Sequence, residues 1–122
     1  LERVLRENGY SPVANDVDEG LASFRVEFEG VRWVAAVPAA QADQINAGVF
    51  LLTACGRCDK DTSRRANAYN ADRRWLSAEG QKDHITATTT IPLSGGITEA
   101  SLGMMIRSFH SWAKTFESDL PK

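Results

Sequence analysis

Two thiols three positions apart, in Cys55-Gly56-Arg57-Cys58, are the side chains of this chain best spaced for covalent chemistry. A strand, then Cys-x-x-Cys, then a helix is the layout of a dithiol redox site, where the helix N-terminus lowers the pKa of the first thiol. Ile91-Pro92 supplies a proline of the kind that faces such a pair. Two features weigh against this reading. A hairpin pattern from Trp75 to Leu93 follows the helix, where a thioredoxin-like unit needs a parallel strand, and no tryptophan stands immediately before Cys55. Thiol-disulfide or redox-sensing chemistry at Cys55 and Cys58 is therefore the alternative reading, with incidental thiols the simpler one. Zinc needs four ligands, or three and water, and His84 and His110 are the only imidazoles. No metal or cofactor is expected.

A second constellation lies in Asn67-Ala68-Tyr69-Asn70-Ala71-Asp72-Arg73-Arg74-Trp75, where a helical pattern stops and an extended one begins. Asn67 and Asn70 project two amides to one side of a helical turn, with Arg74 and Trp75 beyond them. An amide cannot act as a general base, so the stretch is read as structural bracing or partner recognition, without catalytic residues. Asparagine inside a helix is tolerated where it satisfies backbone groups left open by the hydrogen-bond ladder. In Leu93-Ser94-Gly95-Gly96-Ile97-Thr98 the paired glycines allow positive φ before a helix start. Such a start can hold an anion, but no phosphate-loop lysine accompanies it and a tight turn suffices. The pairs Arg64-Arg65 and Arg73-Arg74 read as solvated helix ends. Asp16, Asp18, Glu19, Glu27 and Glu29 have neither calcium-loop nor paired-catalytic spacing.

These residues must be positioned by a chain of 122 residues, 43% hydrophobic and 25% charged, which fits one domain over residues 1–122 with a real core. A formal net charge of −2 and a pI near 5.7 give no attraction to nucleic acid or an anionic bilayer. The longest apolar run, Val49 to Cys55, is far short of the roughly 20 residues of a membrane helix. A soluble protein is expected, and two cysteines suit a reducing cytoplasm better than a secreted disulfide framework. Beginning at Leu1 rather than Met, the chain reads as truncated or processed at its N-terminus.

Leu1, Val4 and Leu5 recur at helical spacing before an Asn8-Gly9 stop. Tyr10 to Val17, with Pro12, reads as a short edge strand. Ala22, Phe24, Val26 and Phe28 alternate with polar residues, Glu29-Gly30 turns the chain, and Val31, Trp33, Ala35 and Val37 return on one face. Residues 38–48 read as a long connection. Val49 to Cys55 is apolar on both faces, as a central strand covered on both sides would be, with the middle helix or a second subunit as the outer cover. Asp59 to Asp72 reads as a helix capped by Asp61 or Thr62, with Ala66, Tyr69 and Asn70 inward. Trp75 to Ala78, a five-residue loop Glu79 to Asp83, and His84 to Leu93 form a second hairpin with a threonine face. Thr98 caps the longest helix, Glu99 to about Ser118, whose apolar stripe comprises Leu102, Met105, Ile106, Phe109, Trp112, Ala113 and Phe116.

An Asn-x-Tyr-Asn-x-x-x-Arg-Trp run leading into a hairpin, then Leu-x-Gly-Gly-Ile-Thr, then a helix carrying Trp112 and Phe116, resembles the YbjN family of bacterial proteins, named as sensory transduction regulators. The matching positions are Asn67, Tyr69, Asn70, Arg74, Trp75, Gly95 and Gly96. The resemblance implies a fold like that of type III secretion chaperones, often dimeric, with no settled enzymatic activity and no catalytic residues to transfer. Cys55-Gly56-Arg57-Cys58 stands outside it. The expected fold is α+β, an antiparallel sheet of about five or six strands packed by N-terminal, middle and long C-terminal helices. The expected function is a non-enzymatic, protein-binding, chaperone-like or regulatory domain acting as a cytoplasmic homodimer.

Overall fold

Period-two alternation drives Leu21 to Pro38 into a hairpin, and the same pattern recurs from His84 to Pro92. In the computed structural model the described residues are 2–15, 21–38, 49–57, 60–72, 76–92 and 97–120. They form α1 (Glu2–Glu7), β1 (Val13–Ala14), β2 (Leu21–Phe28), β3 (Val31–Pro38), β4 (Val49–Arg57), α2 (Thr62–Asp72), β5 (Ser77–Gly80), β6 (His84–Pro92) and α3 (Glu99–Asp119). The six strands make one sheet in the order β1-β2-β3-β4-β6-β5, and every neighbouring pair is antiparallel. The class is α+β. Among the described residues no helix is long and apolar enough to cross a membrane.

Register fixes the two faces. Val26 lies opposite Trp33, Trp33 opposite Ala54, Ala54 opposite Ala87 and Ala87 opposite Ala78. All five are buried, so this row crosses the inner face from β2 to β5. The next rows place Arg25, Val34, Thr53, Thr88 and Ser77 together on the outer face.

α3 crosses the inner face. Its start is capped by Thr98, whose Oγ1 accepts from the Ser101 N–H at 3.0 Å while its carbonyl accepts from Leu102. Leu102, Ile106, Phe109 and Phe116 are each 1% exposed or less. Burying each contributes about 1.5–3 kcal/mol, an upper figure because denatured chains are already partly collapsed. The buried arc is rotated from the one that periodicity suggests. Met105 is 38% exposed and Trp112 only packs against the core margin, whereas Gly103 and His110 are buried. The reason is α1, which docks on that flank through ion pairing of Arg3 with Glu99 and a hydrogen bond from Arg107 to Asn8. α1 itself ends as Gly9 N–H bonds to Arg6 O and Tyr10 N–H to Leu5 O, satisfying carbonyls of the last turn.

β4 runs to Arg57, two residues beyond the boundary expected from apolarity. Leu52 and Ala54 face the core, but their outward neighbours Thr53 and Cys55 are half-buried and exposed. The middle helix does not cover that outer face. Its buried Ala66 and Tyr69 turn toward the inner face, where the Tyr69 ring meets Phe116 edge-on at 4.9 Å between centroids. The second hairpin also differs from expectation. Glu79 and Gly80 belong to β5, leaving a three-residue loop, 81–83, closed by the Gln81 N–H on His84 O. A Cβ on Gly80 would lie 2.7 Å from the Ser63 nitrogen and 2.7 Å from the Thr62 carbonyl carbon. This glycine therefore admits the first turn of α2 against the sheet.

Candidate functional site

Asn67 to Asp72 of the asparagine-containing stretch form the end of α2. Asn70 Nδ2 donates to Ala78 O at 2.8 Å and the Ala78 N–H donates to Asn70 Oδ1 at 2.7 Å. One carboxamide thus satisfies both backbone groups of one β5 residue. Asn67, one turn earlier, is exposed, and Tyr69 is a core side chain. The structure brings Tyr69 and Asn70 to the sheet from adjacent positions and leaves Asn67 at the surface. Arg74, Trp75, Gly95, Gly96 and Cys58 lie outside the described residues.

Cys55 sits within β4, opposite Thr86 on the outer face, and α2 begins only at Thr62. It is therefore not at a helix N-terminus, the position that lowers a thiol pKa. Although the residue is exposed, partial burial of the thiol pushes its pKa up from the ordinary value. Less thiolate means a slower nucleophile. In a Cys58→Ser variant at neutral pH, Cys55 is expected to alkylate with iodoacetamide several-fold more slowly than in the same chain unfolded in urea; a faster folded-state rate would restore the redox reading. Among the described residues no group of three His, Cys, Asp or Glu side chains is placed to hold a metal.

Among the described residues a connected polar arrangement centres on His110, and motif reading missed it. His110, 5% exposed, stands where α3 passes the tip of the β2–β3 hairpin. Trp33 Nε1–H donates to His110 Nδ1 at 3.1 Å. Because indole nitrogen can only donate, Nδ1 carries the lone pair and the ring proton resides on Nε2. That Nε2 lies 3.1 Å from Glu29 Oε1 and donates to it, and Lys114 Nζ donates to Glu29 Oε2 at 3.2 Å. The rings of Phe28, Tyr10 and Trp33 surround the imidazole at centroid distances of 5.1, 5.9 and 6.4 Å. Glu29 and Gly30 have φ of 53° and 77°, the left-handed pair of a tight hairpin turn, where Asn-Gly is the common choice. A glutamate there accepts backbone strain. Its longer side chain reaches α3, which an asparagine at the same position would not.

Chemically the arrangement is closed. Both imidazole nitrogens have partners, so His110 offers no lone pair to a metal and no free site for proton abstraction. Its role is to join α3, the hairpin tip and Tyr10 at the exit of α1. The signal available in sequence was the i, i+4 pair His110 and Lys114, on the same flank as Gly103 and Arg107.

Hydrogen bonds from Lys114 and then His110 hold the Glu29 carboxyl below its usual pKa. A depressed carboxylate pKa adds stability that is present above the unfolded-state value and is lost as pH falls through the folded-state value. Glu29→Gln is therefore expected to melt below wild type at pH 7 and to converge with it in acid, below the ordinary glutamate range of about 4.3. A pH-independent difference in melting temperature would refute the ionic part of this account. Glu29 is nearly half exposed, so the effect is modest.

Among solved structures the chain is similar to an uncharacterized protein from Methanothermobacter thermautotrophicus, with a TM-score of 0.58 at 12% sequence identity, over 97% of this chain and 92% of that one. At that identity the likeness concerns the fold alone. No curated protein matches the chain. Residues 1–121 match the YbjN family, described as "Putative bacterial sensory transduction regulator"; with nearly its whole length matched and the sheet and helices that its motifs led one to expect, the chain belongs to the YbjN family.

Proposed function

We propose that this chain is a non-enzymatic protein-binding domain with a chaperone-like or regulatory role, working in the cytoplasm as a homodimer. Family membership supports a regulatory role, and the type III secretion chaperone-like fold that the family resemblance implies suggests recognition of other polypeptides. The observation that carries the reading is the outer face of the sheet. Thr53, Cys55, Thr86, Thr88 and Thr90 align there beside Arg25, Val34 and Ser77, and the described helices pack on the inner face. Hydroxyls on β-branched side chains give a flat surface that can donate, accept and pack. The chemistry of the polar sites points the same way, since His110 is fully engaged and Cys55 is a poor nucleophile.

The test compares affinity capture by wild type, by Thr86→Lys with Thr88→Lys, and by Met104→Lys on the exposed side of α3. The expected result is a specific polypeptide retained by wild type and M104K and lost by the double variant, with unchanged melting temperatures. Equal retention by all three would remove the outer face as the binding surface. Homodimerisation is checked by sedimentation: a monomer at high micromolar concentration would exclude it.

A further inference from the structure

The apolar run Val49 to Cys55 asks for cover on both faces of β4. Among the described elements α3 and the buried side of α2 supply only the inner one, while outward Val34 is half-buried and outward Cys55 exposed. The outer face also carries an uneven charge. Toward one side, Arg25 of β2 stands beside the ion pair of Arg32 with Glu27 that joins β3 to β2, so two cations meet one anion. Toward the other, Glu79 is the outward charge of β5, two residues from Ser77. Arg25 and Glu79 are both exposed, and among the described residues neither side chain has an ion-pair partner.

We infer that the polypeptide held by this face is a second copy of the chain, stacked sheet on sheet about a two-fold axis that runs along β4. The inference rests on the outer-face reading and names its partner. β4 is the middle strand of the run β2-β3-β4-β6-β5, so this axis lays β2 of each copy over β5 of the other and makes the contact self-complementary. Arg25 and Ser77 share one row across the sheet. Each Arg25 therefore comes down on the second copy's Ser77, within a guanidinium's reach of Glu79. Both corners of the interface then gather two cations, Arg25 and Arg32, and two anions, Glu27 and the second copy's Glu79. An axis across the strands would instead stack β5 on β5, which holds no cation for Glu79. Thr53 and Cys55 fall on the axis along β4, where their small side chains let two aligned sheets approach to the usual spacing of about 10 Å. Five strands about 4.8 Å apart, the longest of nine residues, give a face of about 24 by 30 Å at its widest, near the roughly 800 Å² per partner of a stable interface.

The test is sedimentation of wild type, Arg25→Glu, Glu79→Arg and the double reversal over a concentration series, with melting temperatures showing that each is folded. Wild type is expected to be a dimer. Each single reversal should weaken it roughly tenfold or more, because like charges then crowd both corners, and the double reversal should restore it. In Cys58→Ser, a short bismaleimide reacted to completion should bridge Cys55 to its counterpart and leave the chain lacking both thiols unlinked. A wild type that stays monomeric at high micromolar concentration, a dimer indifferent to both reversals, single reversals that the double variant does not rescue, or a dimer whose Cys55 is fully alkylated but not bridged would each overturn the inference. If capture of a different polypeptide is still lost with Thr86→Lys and Thr88→Lys, the outer-face reading stands with another occupant; if that capture is unchanged, both fall.

Discussion

Replacing His110 with alanine is expected to lower folding stability by about 3 to 5 kcal/mol, the cost of truncating a buried aromatic side chain. The ring is 5% exposed and sits among Tyr10, Phe28 and Trp33, so its removal leaves a cavity. It also strips the Trp33 N–H of its acceptor, and an orphaned buried donor costs about 1–3 kcal/mol. These contributions overlap because they act on one cluster. Urea denaturation followed by circular dichroism measures the total. Two further variants divide it: His110→Phe keeps a ring but no acceptor, whereas His110→Asn keeps an oxygen near the Nδ1 position but little volume. Both should fall between alanine and wild type. An alanine variant within about 1 kcal/mol of wild type would mean that the cluster is not closely packed.

The same helix shows how far the sequence could be read. Period 3.6 and Thr98 place α3 from Glu99 to about Ser118, and it runs from Glu99 to Asp119. Periodicity gives an arc of apolar residues, however, and does not say which neighbour closes each flank. Met105 belongs to the apolar stripe by spacing but is 38% exposed, while Gly103 is buried because the side chain of Asn8, just past α1, rests on it. His110 lies on that same flank. Its partners Trp33 and Glu29 are 77 and 81 residues away in the chain, and only the register of β2 with β3 and the docking of α3 bring them together. The asparagines teach a related lesson. Asn67 and Asn70 are the same residue type on one helical face, yet it is Asn70 that reaches the β5 backbone, at Ala78. Spacing cannot distinguish them, because the distinction depends on where the edge strand passes.

The thiol pair illustrates a boundary effect. Cys55 ends the apolar run, so hydrophobicity alone stops the strand there and sets Cys-x-x-Cys at a strand-to-helix junction. Backbone pairing continues, with Gly56 opposite Ile85 and Arg57 opposite His84. Gly56 is tightly enclosed inside the strand: a Cβ there would approach Phe116 and Leu120 to 3.2 Å, so those side chains would have to give by a few tenths of an ångström. A residue that looks like a strand terminator is thus where the side chains of Phe116 and Leu120 lie against the sheet.

Gly80 is the more consequential case, and Gly80→Ala is expected to cost about 3 kcal/mol, the upper end of what overpacking usually costs. Between Glu79 and Gln81 it reads as a loop glycine. It is instead a β5 residue whose missing side chain leaves room for α2, and the atoms a Cβ would strike, at 2.7 Å, belong to the backbone of Thr62 and Ser63. Backbone cannot rotate aside as a flexible side chain can, so the first turn of α2 must lift. Lifting it pulls Tyr69 from Phe116 and Asn70 from Ala78. Native-state hydrogen exchange should therefore show α2 and the Ala78 amide losing protection together, while β2 and β3 keep theirs. Gly30→Ala is the control: its Cβ meets nothing within 4 Å, and its cost is only that of a left-handed backbone, about 1–2 kcal/mol. If Gly80→Ala is no worse than this control and leaves α2 protected, the helix does not rest on the strand, and the seat of Asn70 on the β5 edge must have another cause.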